Sequence, residues 1–102
     1  MALTIHGLDP GPVQSALVTL YPNGSVGARI ASNADILGQV WYEASCPNPS
    51  VMCVEMIASY GMAVGAETFE TVYWIGRFCE AWQRRNGAPA HRLTRMSVKM
   101  AL

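Results

Sequence analysis

The sequence predicts a single α/β domain over residues 1–102, in the order βββαβαβ, and three observations carry that prediction. The first thirty residues hold three short β-patterned segments separated by turns. Two longer stretches then repeat their apolar residues at helical spacing. Each of those stretches is followed by a short strand. The expected architecture is a three-stranded antiparallel meander followed by alternating helices and parallel strands, with a final helix that is incomplete.

Leu3 to Leu8 alternates apolar with small or polar residues and stops at Asp9-Pro10-Gly11-Pro12, where the prolines fix φ. Ser15 to Tyr21 is rich in β-formers. Pro22-Asn23-Gly24-Ser25 turns the chain, and Val26 to Ala31 returns as the third strand. Ser32 or Asn33 can cap a helix that Asp35 favours at its positive end; Ile36, Leu37, Val40 and Trp41 give it an apolar stripe as far as about Ala44. Cys46-Pro47-Asn48-Pro49-Ser50 is the strongest break in the chain. Val51 to Ile57 follows as an almost continuously apolar strand, the pattern of a covered sheet centre. Ser59 to Gly65 reads as a loop, and Ala66 to about Arg85 as the longest helix. Phe69, Val72, Tyr73, Gly76, Cys79 and Trp82 are available for its inward face. Asn86-Gly87-Ala88-Pro89 ends that helix. Ala90 to Thr94 is a short fifth strand, and Ser97 to Leu102 looks like one turn of a further helix.

Apolar residues make up 51% of the chain and charged residues 14%, which excludes intrinsic disorder. No apolar run reaches the roughly 18 residues of a membrane span. Three cysteines without a CxxC pair argue against a disulfide framework and against structural zinc, so the chain reads as reduced and cytosolic. The charges are unevenly placed. Residues 1–76 carry one base, Arg29, against Asp9, Asp35, Glu43, Glu55, Glu67 and Glu70. Residues 77–102 carry Arg77, Arg84, Arg85, Arg92, Arg95 and Lys99 against Glu80 alone. Such a split can mark a polyanion-binding face beside an acidic centre; charges suited to a helix dipole explain Glu67, Glu70, Arg84 and Arg85 as well.

Glu55 is the informative position. A carboxylate within Val-Met-Cys-Val-Glu-Met-Ile is costly to bury alone, so it needs a cation or a place where the strand opens into a cleft. Asp9 ends the first strand in the same manner. If the first and fourth strands are parallel neighbours, both carboxylates emerge at one edge of the sheet, where open α/β sheets bind ligands. Two carboxylates so placed repel, and a hard divalent cation such as Mg²⁺ relieves that repulsion. Two plainer readings stay open: Asp9 as a turn initiator, and Glu55 paired with an arginine such as Arg92.

His6-Gly7-Leu8-Asp9-Pro10-Gly11 resembles the first-strand signature of the RuvC-type branch of the RNase H-like superfamily. Val51-Met52-Cys53-Val54-Glu55 followed by a long helix is similar to that family's fourth strand. Glu55 to Met62, with Phe69-Glu70-Thr71 and Trp74 to Phe78, resembles small phage-type RuvC-like proteins, and the match runs in order along essentially the whole chain. The resemblance implies a Holliday junction resolvase-type endonuclease working on branched or structured DNA in a bacterial or phage-infected cytoplasm. It implies that Asp9 and Glu55 hold Mg²⁺ or Mn²⁺, with hydrolysis of phosphodiester bonds by paired ions. Lys99 falls where such proteins carry a lysine facing the nucleic-acid backbone; Arg95 and Arg92 suit the same task, and Tyr60 a base contact. A homodimer is expected of enzymes that cut two strands symmetrically.

The family completes its site with one or two aspartates on a helix after the fifth strand. No acid follows Glu80 here, so the expectation is a chain truncated at its C-terminal helix. Glu70 is the candidate substitute ligand. The rival reading is a non-catalytic DNA- or protein-binding remnant of the same fold. The remaining candidates read structurally: His6 and His91 as packed or surface histidines, Cys53 and Cys79 as inert thiols, and Trp41, Trp74 and Trp82 as helix packing.

Overall fold

The computed structural model describes residues 2–57 and 65–94. Its elements are β1 (Thr4–Asp9), β2 (Gln14–Leu20), β3 (Val26–Ser32), α1 (Asn33–Ala44), β4 (Ser50–Met56), α2 (Ala66–Asn86) and β5 (His91–Thr94). The strands form one sheet in the order β3-β2-β1-β4-β5. β1 pairs with β2 and β2 with β3 antiparallel, while β4 runs parallel to both β1 and β5. The expected meander and the parallel half are both present. The loop read at Ser59 to Gly65 lies outside the described residues except for Gly65, and the helical turn read at Ser97 to Leu102 lies outside them altogether.

Both helices lie on one face of the sheet. The core is Leu8 and Leu17 from the meander, Met52 and Val54 from β4, Ile36, Val40 and Ala44 from α1, and Ile75, Phe78 and Trp82 from α2. Strand alternation fixes what faces the helices: Thr4, His6 and Leu8 point inward on β1, and Ile5, Gly7 and Asp9 point outward. β2 follows suit, with Ser15, Leu17 and Thr19 buried and Val18 and Leu20 exposed. β4 buries Met52 and Val54 but leaves Val51, Cys53 and Glu55 only half-buried. Its apolar run therefore belongs to a strand covered on one side, not on both.

The helix ends follow sequence chemistry. Ser32 caps α1, accepting a bond from the Asp35 amide at 3.2 Å. Gly87 ends α2 at φ 91°, and its amide donates to the Gln83 carbonyl at 2.9 Å. The inward stripe of α2 matches the one read in the sequence at Trp82 and differs from it toward the amino end. Thr71, Ile75, Phe78 and Trp82 are buried, whereas Phe69, Val72 and Tyr73 are exposed. The two stripes interleave along the same helix, and α2 buries the one carrying its largest side chains beneath α1 and the sheet.

His6, read in the sequence as a packed histidine, is packed inward on β1. It is 2% exposed, its Nδ1 lies 2.8 Å from the Thr19 hydroxyl, and its ring meets Trp82 edge-on at 5.6 Å. Burial pushes its pKa below the usual 6.5, only partly opposed by Glu43, whose carboxylate lies 3.9 Å from Nε2. The folded state thus holds His6 neutral while the unfolded chain gains a proton below about pH 6.5. Its contribution to stability is complete above that pH and declines as pH falls through the folded value. Urea unfolding of the wild type and of His6→Phe between pH 7.5 and 5 checks this. The wild type should lose more stability across that interval than the variant; equal losses would remove His6 from the acid response.

Candidate functional site

β1 ends at Asp9 because Pro10 has no N–H to continue the ladder. The parallel register with β4 sets Gly7 beside Cys53 and Leu8 beside Val54. Asp9 and Glu55 each follow directly on the last registered pair, Leu8 and Val54, on strands spaced about 4.8 Å apart. Both carboxylates are on the sheet face that the helices leave open. Asp9 and Glu55 both border one shallow, open and largely apolar depression of about 270 Å³, together with Gly7, Val18, Cys53 and Leu93. Two acids distant in sequence are therefore brought together at the carboxyl ends of two central parallel strands.

Such a donor set, two carboxylates beside an apolar floor, suits a hard divalent cation. Mg²⁺ is commonly held by one or two carboxylates, with water and substrate phosphate completing the octahedron. Among the described residues no third histidine, cysteine, aspartate or glutamate joins the pair. Glu70 is exposed on α2 and does not line the cleft. Arg92 is level with Val54, on the helix-covered face of β5, and lines a different cavity of about 300 Å³ with Cys79, Glu80 and Gln83. Tyr60, Arg95 and Lys99 lie outside the described residues.

The remaining basic side chains of the second half belong to the helix layer. Arg77 stacks over Trp74 at 4.5 Å, Arg85 stacks over Trp41 at 5.1 Å, and Arg84 pairs with Glu80 at 2.8 Å. The open sheet face lies across the molecule from them. Of the three tryptophans read as packing, Trp82 is buried, Trp74 rests against Phe78, and Trp41 is 43% exposed.

No protein-family model matches this sequence, and no curated protein matches it by sequence. Solved structures do match in three dimensions. RuvC from Thermus thermophilus superimposes with a TM-score of 0.68 at 21% identity, over 97% of this chain and 68% of that one. The T. thermophilus RuvC structure in complex with a Holliday junction substrate gives the same TM-score at 16% identity, over 98% and 69%. The fold is that of RuvC. The strand order, the antiparallel start and the parallel β1–β4 pair of this RuvC-like, RNase H-type fold are the features that set Asp9 against Glu55.

One group of site residues was not legible in the sequence. Ser15, Asn33 and Gly11 form a hydrogen-bonded ring beneath the turn that follows Asp9. The available signal was a second capping residue: Ser32 accepts from the Asp35 amide, while the Asn33 side chain bonds Ser15 and Gly11 instead.

Proposed function

We propose that this chain is a divalent-cation-dependent endonuclease of the Holliday junction resolvase type, hydrolysing phosphodiester bonds in branched DNA. The observation that supports this reading best is the shared cleft of Asp9 and Glu55 within a RuvC fold. In this reading Asp9 and Glu55 hold Mg²⁺ or Mn²⁺. When bound, the cation orients water and offsets negative charge on the scissile phosphate. The two carboxylates fix where that charge compensation occurs. Lys99 and Arg95 are assigned to the DNA backbone and Tyr60 to a base, contacts that supply affinity and salt dependence before sequence preference; Arg92, on the helix-covered face of β5, falls outside that set.

The active unit in this reading is a homodimer. Phe69, Val72 and Tyr73 form an exposed stripe on α2. An antiparallel pairing of two α2 helices about Gly76 matches apolar stripe to stripe.

The test is incubation of the 102-residue chain with a synthetic four-way DNA junction in Mn²⁺, with and without chelator. Cleavage that appears with Mn²⁺ and vanishes with chelator is the expected result. Junction binding that chelator leaves unchanged, without cleavage in either condition, would replace the enzyme with a non-catalytic DNA-binding protein of the same fold.

A further inference from the structure

We propose that Asn33 and Ser15 are positioning residues that pin the Asp9–Gly11 turn and thereby hold the Asp9 carboxylate beside Glu55, an inference that rests on the cation-binding reading above. Both side chains are almost wholly buried, Asn33 at 2% and Ser15 at 3% exposure. A buried amide or hydroxyl is retained only where its hydrogen bonds are met. Here they are met by one turn. The Gly11 amide donates to the Ser15 hydroxyl at 3.2 Å, that hydroxyl donates to Asn33 Oδ1 at 2.6 Å, and Asn33 Nδ2 donates to the Gly11 carbonyl at 2.9 Å. Both backbone polar groups of Gly11 are thus tied into a single ring. The Asn33 amide adds a bond to the Val13 carbonyl at 3.0 Å.

The rest of the turn is equally determined. Pro10 and Pro12 fix φ on either side of Gly11. A Cβ at Gly11 would lie 2.4 Å from the Gln14 carbonyl oxygen, closer than atoms approach, so no other residue fits there. Asp9 is the last residue of its strand and its side chain is exposed. Little beyond the backbone on either side constrains its direction. A loosely held strand end would let Asp9 swing away from Glu55. Pinning the turn from the first residue of α1 meets the cost of convergence during folding, so that binding does not carry it. Neither Asn33 nor Ser15 lines the cleft, so each acts through the backbone of the turn.

The experiment is Mn²⁺ binding to the full chain, read from the electron paramagnetic resonance signal of free Mn²⁺, with exchange protection of the Gly11 amide measured in parallel. Ser15→Ala and Asn33→Ala should each weaken Mn²⁺ binding severalfold, because the turn they pin carries the Asp9 carboxylate. Both should lose Gly11 protection, and Ser15→Thr should restore both. Ile75→Val, a core change remote from the turn, should leave both readouts alone. Ser15→Ala covers the case in which Asn33→Ala does not fold. Folded Ser15→Ala that binds Mn²⁺ like the wild type, while Asp9→Asn does not, would overturn the positioning role and leave the cation reading intact. Wild-type chain that fails to bind Mn²⁺, or an Asp9→Asn variant that binds it equally well, would overturn both.

Discussion

Asp9→Asn is expected to abolish Mn²⁺-dependent junction cleavage while leaving the folded structure intact. The change removes one charge and keeps the shape of the side chain. The cleft then offers a cation one carboxylate in place of two, and the second ion–ligand attraction disappears. Losing an outer partner of a metal ligand typically weakens binding by about 10–100-fold, and losing the ligand itself should exceed that. Asp9 is exposed at a strand end, one residue past the last registered β1–β4 pair, Leu8 and Val54. An exposed, shape-conserving change costs little, so thermal unfolding without metal should be unchanged. Cleavage rates and melting curves measured on the same samples check both halves. A variant that cleaves at the wild-type rate would remove Asp9 from the chemistry.

The largest effect on stability is expected at Trp82. Its ring is 1% exposed, sits in the α2 stripe with Ile75 and Phe78, and takes the edge of His6 at 5.6 Å. Trp82→Ala empties the space between α2 and the inner face of β1, which the surrounding rigid strands can fill only in part. A loss of about 3–5 kcal/mol follows for a buried tryptophan. Domains of this size have a total stability of only about 5–15 kcal/mol, so the variant should be marginally folded at room temperature. Urea titration followed by far-ultraviolet circular dichroism measures the shift. A loss below about 1 kcal/mol would mean that the ring is not part of the core.

Backbone logic was the legible part of the fold. Proline and glycine at positions 10–12, 22–24, 47–49 and 87–89 mark breaks that the structure keeps, and strand type follows from chain order. The two acids could be singled out because a carboxylate at the end of an apolar strand contradicts its surroundings. Two features were less accessible. α2 carries two apolar stripes, one with Phe69, Val72 and Tyr73, the other with Ile75, Phe78 and Trp82. Periodicity alone does not say which of them faces the sheet. The ring of Gly11, Ser15 and Asn33 joins residues 4, 18 and 22 positions apart, so it exists only once α1 has folded back against the turn. The packing of His6 was legible, but its bond to Thr19, 13 positions away, was not.

The central claim, that residues 9 and 55 jointly bind a divalent ion, is tested most directly by adding substoichiometric Mn²⁺ to isotopically labelled protein. Paramagnetic broadening should appear first at the amides of Gly7, Asp9, Cys53 and Glu55, and should be absent in Asp9→Asn. Broadening centred elsewhere, such as around Glu80 on the helix layer, or identical in the variant, would contradict the account.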